Sequence, residues 1–458
     1  MPALLESPRR VLPTLNADGT RRLIRPRLFP GRYFRARRVL AWSLLALFWL
    51  LPFARVGGKP AVLLDIPGRA FHLFGATFRA TDGVLLMLAL LVIFVAIFAV
   101  TAWVGRAWCG WACPQTVYME FVFRPIERWI EGGRVGQQRL DREGADWRRV
   151  LKYGVFAVLS LGLANVFLAY FVGTERLGLW MTSSPAAHPT GFAVLLVTSS
   201  LIYADFGFFR EQMCTVACPY ARLQSVLLDP RSVVVGYDAR RGEPRGRGAG
   251  HGDCVDCGAC VTTCPTGIDI REGLQLECIA CAQCVDACDS VMLKFARPIG
   301  LIRYDAQHAL SPSQGSLRTN RPRLVIYPLL LVGLLGALIF FARGADQPEV
   351  TLLRGIGAPF ELRGDHVQNQ IRIKIENRSG EDANYRLELL DLPEAILVAP
   401  ENPLHVAAGE RATTSVFVTV PLDALPLGSR PVQFAIHDEH GLLLRLPYRL
   451  LGPRKVGS

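Results

Sequence analysis

A multi-span helical membrane protein with a cysteine-rich insert and a β-sandwich tail is the architecture this sequence predicts, on three observations. Five apolar stretches are long enough, or nearly so, to cross a bilayer. Between the fourth and fifth lie two copies of a Cys-x2-Cys-x2-Cys-x3-Cys run. After the fifth, short stretches of alternating or β-branched residues are separated by turn residues. The expected fold class is a polytopic α-helical membrane protein with an inserted bacterial-type two-cluster ferredoxin domain and a C-terminal immunoglobulin-like β-sandwich.

Composition agrees. A chain of 458 residues is long for one domain, and 51% hydrophobic residues is high for a soluble protein. The net charge of +12 raises nucleic acid as a partner, but no basic-aromatic signature accompanies it. In a membrane chain such an Arg excess more often marks cytoplasmic flanks. All twelve cysteines fall between Cys109 and Cys288. Their Cys-x2-Cys runs are the pattern of metal binding in a reducing compartment, not of a disulfide scaffold.

Residues 1–38 read as an Arg-rich cytoplasmic tail ahead of an uncleaved anchor, since the basic lead is too long for a signal peptide. Residues 39–209 hold four spans, at 39–56, 84–104, 153–173 and 191–209. The first is short of the roughly 20 residues a span wants, and Arg55 can snorkel to the interface. Asp205 places one end of the fourth at an interface or against protein. Residues 61–78, broken by Asp65, Pro67 and Arg69, read as an interfacial loop. A cytoplasmic region, 210–323, precedes the fifth span at 324–341. Lys plus Arg number ten in 1–38, three in 57–81, nine in 105–152, one in 174–190 and fourteen in 210–323. This alternation predicts a bacterial inner-membrane protein with a cytoplasmic N-terminus and a periplasmic tail.

That tail, 347–458, carries candidate strands at 371–375, 414–420, 433–437 and 442–446, the last two joined through Asp438–Gly441. It has no cysteine, so no inter-sheet disulfide, and Asn377-Arg-Ser379 reads as a turn.

The chemistry is concentrated in the two cysteine runs. In the bacterial ferredoxin pattern three cysteines hold one cubane cluster and the fourth reaches the other. Cys254, Cys257, Cys260 and Cys288 would then hold one [4Fe-4S] cluster, and Cys278, Cys281, Cys284 and Cys264 the second. Four thiolates also suit zinc, but zinc ribbons favour two well-separated Cys-x2-Cys pairs. The second run ends Cys288-Asp289, where ferredoxins usually have Cys-Pro.

Two further motifs, Cys109-Gly-Trp-Ala-Cys113-Pro114 and Cys214-Thr-Val-Ala-Cys218-Pro219, follow spans two and four. If helical, cysteines at i and i+4 share a face, and each following Pro puts its motif at a helix end. Together the pairs offer four soft thiolates, which favour Cu(I); a reversible dithiol and simple packing are the alternatives. His437 and His440 flank an acidic turn and read as solvated, while His72 and His188 carry no ligand spacing. Arg240, Arg241, Arg245 and Arg247 either dock an acidic electron donor or face solvent or headgroups.

On the paired Cys-x3-Cys-Pro motifs, the double ferredoxin run and the intervening Gly267–Cys278 stretch, the layout resembles the FixG/CcoG (RdxA) family of cytochrome c oxidase accessory proteins. Cys288-Asp-Ser-Val-Met292 and the stretch from Asn369 to Glu376 look like that family's too. The resemblance implies an oxidoreductase that reduces Cu(II) to Cu(I) for assembly of the cbb-type oxidase. Its partners would be membrane lipid, copper ion, oxidase subunits or copper chaperones, and an electron donor. The hydrocarbon core is about 30 Å thick, and no outer segment looks like a redox centre. Reduction is therefore expected at the cytoplasmic face, near Cys109, Cys113, Cys214 and Cys218. The rival expectations are a quinol-linked electron conduit and a non-enzymatic assembly scaffold.

Overall fold

Long apolar helices bury their side chains either in lipid or against one another, and this chain does both. The computed structural model describes residues 14, 20 and 22–453, apart from 67, 69, 80–82, 145, 229–230, 249, 311–321, 344–347, 379–380, 426 and 440. Two units divide the chain, residues 1–337 and 338–458. Five helices among the described residues are long and apolar enough to cross a membrane: Arg32–Phe53, Gly83–Val104, Trp147–Val172, Pro189–Phe209 and Arg323–Ala342. The third is the best covered by protein, and Phe123, Phe156 and Phe206 form the aromatic centre of the core it joins. Phe123 and Phe206 stack at 4.4 Å.

The first span begins at Arg32, ahead of position 39 where its apolar run starts. A tertiary cap is the reason. The carboxylate of Asp286, on the helix Gln283–Lys294, accepts from the backbone N–H of Tyr33 at 3.2 Å and of Phe34 at 2.8 Å. These are two of the orphan donors that open every helix. Gly31 leaves room for that carboxylate, which any Cβ there would strike.

The expected loop at 61–78 is instead a three-stranded antiparallel meander, Val62–Asp65, Ala70–Leu73 and Ala76–Arg79. The polar break that disqualified it as a span is turn chemistry. Asp65 accepts from the N–H of Gly68 at 2.8 Å; Pro67 and Arg69 lie outside the described residues.

Strands Val233–Tyr237 and Ile302–Ala306 pair antiparallel and bracket the two cysteine runs. Val235, Ile268, Ile270, Val285, Met292 and Leu301 form the core beneath them. The helix Gln283–Lys294 runs straight through Cys288-Asp289. Proline at 289 would remove an N–H and clash with the preceding turn. Asp289 instead accepts from the N–H of Gly300 at 2.9 Å. In the first run the helix Ala259–Thr263 is short and ends just before Cys264-Pro265.

The second unit is a two-sheet sandwich. Ile396–Val398, Arg411–Pro421, His366–Glu376 and Glu349–Arg354 lie in that order in one sheet, with Glu361–Arg363 also on His366–Glu376. Leu404–Val406, Ala383–Leu390, Ser429–Asp438 and Gly441–Leu451 form the other. Along His366–Glu376 alternate residues point inward, so Val367, Ile371, Ile373 and Ile375 meet Phe434 and Ile436 in the core. Asn369 ties the sheets, donating to the Leu451 carbonyl and accepting from its N–H, both at 2.9 Å.

Candidate metal centres

Each cysteine run curls by the same backbone device. The residue before the second cysteine and the residue after it take positive φ: Asp256 (53°) and Gly258 (65°) in the first run, Ala280 (52°) and Ala282 (58°) in the second. Three of these four carry a Cβ, so the left-handed corners are held by their surroundings rather than chosen by composition.

The curled runs enclose two cavities. One is lined by Cys254, Cys257, Cys260 and Cys288 with Tyr237, Arg271, Met292 and Leu301. The other is lined by Cys264, Cys278, Cys281 and Cys284 with Val235, Ile268 and Ile270; Cys260 borders both. No imidazole or carboxylate lines either cavity among the described residues. An all-sulfur donor set in an apolar pocket fits an iron–sulfur cube. Burial pushes the thiols of Cys260, Cys281 and Cys288 up to about 12 and that of Cys278 to about 11, so binding a cluster there requires these thiols to give up protons.

The two Cys-x3-Cys-Pro motifs are built alike. Cys109 sits in the turn of helix Ala107–Trp111, five residues past the second span, and Cys214 in a π-type turn, five residues past the fourth. Cys113 and Cys218 are extended residues that open the helices Pro114–Tyr118 and Pro219–Leu227. The chain therefore breaks at the second cysteine of each pair instead of keeping both on one helical face. Each following Pro takes the first helical position, where its missing N–H costs nothing.

The structure brings Cys109 and Cys214 together beside the second run, with Cys113 and Cys218 near enough to act on both electrostatically. Cys109 packs with Ile279 and Cys281, and Cys214 and Tyr220 lie against them. Burial pushes the Cys109 thiol up to about 11, with Cys113, Cys218 and Cys278 adding to the shift. It pushes Cys214 up to about 12, reinforced by Cys113, Cys109 and Cys218. The Cys109 thiol donates to Gln224 Oε1 at 3.2 Å, and Gln224 in turn donates to the Gly105 carbonyl at 2.8 Å. Among the described residues no three His, Cys, Asp or Glu side chains stand close enough to hold a single ion.

Besides these side chains, motif and run also meet backbone to backbone at Gly110. A Cβ on Gly110 would fall 2.5 Å from the Ile279 carbonyl oxygen and 2.7 Å from Cys281 Cα. Trp111 Nε1 donates to Tyr304 at 2.9 Å, and Tyr304 donates to the Ala280 carbonyl. Arg106 donates to the carbonyls of Leu276 and Ala221. Below, Gln283 donates to Glu120 at 3.0 Å, and Arg124 joins Glu120, Glu211 and the Pro265 carbonyl.

Three family models match. Residues 339–453 match the IG-like fold at the C-terminal of FixG, 209–249 and 245–307 a 4Fe-4S dicluster domain, and 86–132 a 4Fe-4S binding domain. Protein RdxA of Cereibacter sphaeroides is 36% identical over 90% of this chain and 92% of its own. The chain belongs to the FixG/RdxA family. The nitrogen fixation protein FixG of Rhizobium meliloti is 33% identical over 82% of this chain and 81% of its own. RdxB of C. sphaeroides is 33% identical over 85% and 88%. A crystal structure of a FixG-related protein from Vibrio parahaemolyticus, 18% identical, covers 23% of this chain and 97% of its own, with a TM-score of 0.22. This FixG/RdxA protein is accordingly a membrane iron–sulfur electron-transfer protein with two [4Fe-4S] clusters.

Of the remaining expected residues, the histidines stand apart from these centres, while Asp205 lies beside the motifs. His437 faces Glu388 at 3.2 Å, His188 stacks on Trp180 at 4.8 Å, His72 lies in the meander, and His440 is outside the described residues. Arg241 pairs with Asp253 at 2.9 Å and Arg245 with Glu243 at 2.7 Å, Arg240 donates to the Ala309 carbonyl, and Arg247 lies over Phe295. Asp205 accepts from Gln115, just past the first motif, at 3.1 Å. Sequence reasoning missed Arg37, Arg106, Glu120, Gln224 and Tyr304. Each acts through a partner more than 70 positions away, which no local pattern signals.

Proposed function

We propose that this FixG/RdxA protein is a cupric reductase that delivers Cu(I) for assembly of a cbb-type cytochrome oxidase. Cys254, Cys257, Cys260 and Cys288 hold one cluster, and Cys264, Cys278, Cys281 and Cys284 the other. When bound, the clusters supply low-potential electrons one at a time, which matches the one-electron change from Cu(II) to Cu(I). Substrate copper meets the thiols of Cys109, Cys113, Cys214 and Cys218. A transient substrate needs no closed cage, since a soft thiolate pair already favours Cu(I) over harder ions. The single observation behind this reading is the seating of the first motif on the second run, with Gly110 against Cys281 and Cys109 among Ile279, Cys281 and Cys214. Buried neutral thiols must release their protons to solvent on meeting copper, and Gln224, which accepts the hydrogen bond of the Cys109 S–H, orients that thiol without taking its proton.

The Lys and Arg alternation supports an N-terminus and a 210–323 region on the cytoplasmic side and a periplasmic 347–458 domain. Oxidase subunits or copper chaperones would take the product. The test is a variant with all four motif thiols changed to Ser, assayed for copper binding and Cu(II) reduction. Iron content and the cluster EPR signals should stay at wild-type values while both copper measures fall; unchanged copper behaviour would sink the proposal.

The description of residues 86–132 as a 4Fe-4S binding domain favours a second reading, in which the same four thiols hold iron. Two clusters give about eight irons per chain and a third about twelve, so iron analysis of the four-Ser variant separates the two.

A further inference from the structure

We propose that the buried guanidinium of Arg37 sets the reduction potential of the cluster held in part by Cys281 and leaves the other cluster unaffected. Arg37 stands in the basic lead of the first span, where a positive charge ordinarily faces water or headgroups. Here its side chain is 0% exposed. Its Nε donates to the Gly110 carbonyl at 2.7 Å, and its guanidinium lies 5.5 Å from the centre of the Phe121 ring. Nη1 and Nη2 have no hydrogen-bond partner among the described residues. The nearby acid, Glu120, has its oxygens engaged by Arg124 and Gln283.

A cation so buried, with most of its donors unused, is expensive unless an anion shares its surroundings. Glu120 is one such anion, shared with Arg124, and Gly110 shows where a second lies. The residue whose carbonyl takes Arg37 is the one pressed on Cys281, so a peptide's thickness separates the charge from the second run. A cluster with four thiolates is anionic, and more so when reduced. A fixed positive charge beside it therefore favours the reduced form and raises the potential.

The first run also has a cation, which lines its cavity, but that cation is paired with acids. Its neighbouring cation, Arg271, is neutralised by Asp269 at 2.6 Å and by Asp256. Arg106, held by two carbonyls, adds charge of the same sign on the second run's side. The two clusters are thereby made unequal, with the better electron acceptor next to the paired motifs. The inference rests on the assignment of Cys281 to one cluster and not on copper as substrate.

The experiment is an EPR-monitored redox titration of the full-length protein in nanodiscs, as wild type, Arg37→Met, Arg37→Gln and Arg37→Lys, with Cys281→Ser identifying its signal. In the Met and Gln variants that signal should shift to lower potential. At the wild-type midpoint its reduced-to-oxidised ratio should fall at least tenfold, about 59 mV for one electron. The other signal should not move, and Lys should retain most of the wild-type value. Wild-type potentials in both neutral variants, equal shifts of both signals, or a Lys variant displaced as far as Met would each overturn the inference. If Arg37→Met assembles no cluster, the Gln and Lys comparison decides. If Cys281→Ser removes neither signal, the ligand assignment fails and the inference with it.

Discussion

Glu127→Gln tests whether the buried charges under the second motif are matched one to one. The Glu127 carboxylate, 3% exposed, meets Arg25 at 2.7 Å, Arg210 at 2.7 Å and Lys152 at 3.4 Å. Neutralising it does not strand all three. Arg25 keeps Asp141 at 3.1 Å and Lys152 keeps Glu131 at 2.7 Å. Arg210 loses its carboxylate and is left with the Phe206 carbonyl. The cost is therefore that of one stranded buried cation, about 3–5 kcal/mol. Arg210→Gln on the same background removes the stranded charge, so the double variant should be more stable than Glu127→Gln alone. SDS-induced unfolding in mixed micelles, read from cluster absorbance and Trp fluorescence, measures both. A single variant with wild-type stability, or a double variant as unstable as the two single losses added, would refute the matching argument. Arg210 also takes a positive φ of 49° and its carbonyl accepts from Met213 and Gln115. The loss should accordingly reach the turn holding Cys214.

Acid should act on the same network. Burial alone would raise the Glu127 pKa, but Arg210, Arg25 and Lys152 together hold it far below the ordinary carboxylate range. Its folded value lies below its unfolded one, so its stabilisation is complete above that range and declines as pH falls from it toward the lower folded value; Glu127→Gln should flatten that part of a stability-against-pH profile. Gly110→Ala forces a Cβ against the backbone of Ile279 and Cys281; a loss of about 1–3 kcal/mol is expected, with Cu(II) reduction falling more than iron content. Asn369→Ala strands the N–H and carbonyl of Leu451, at about 1–3 kcal/mol per group, and melting of the full chain should show an earlier β transition with the clusters intact. Cys257→Ser and Cys284→Ser should each remove one EPR signal and about four irons, and a different signal in each case.

What could be read from the sequence is what depends on neighbours along the chain. Thiolate spacing, the apolar runs and the alternation of Ile371, Ile373 and Ile375 are local, and the fold class and family follow from them. What could not be read depends on distant partners. The start of the first span is set by Asp286, and the run at 61–78 folds because its polar break is a turn. The Cys288-Asp289 ending departs from the ferredoxin Cys-Pro because residue 289 lies mid-helix, where proline is excluded. Arg37 is one of several arginines ahead of the first span, and only its burial and its bond to Gly110 set it apart from them. The short strands at Ile396–Val398 and Leu404–Val406 are too brief for a periodicity to register.

The seating of Gly110 on Ile279 and Cys281 has a kinetic side. Electron tunnelling falls off steeply with separation, and most protein surfaces meet through side chains that hop between rotamers. Here, at Gly110, main chain rests on main chain, so at that point the gap between the membrane motif and the second run is not set by a side-chain rotamer. Transfer across it should vary little with viscosity or lipid composition, and should change only when the peptide chain itself moves.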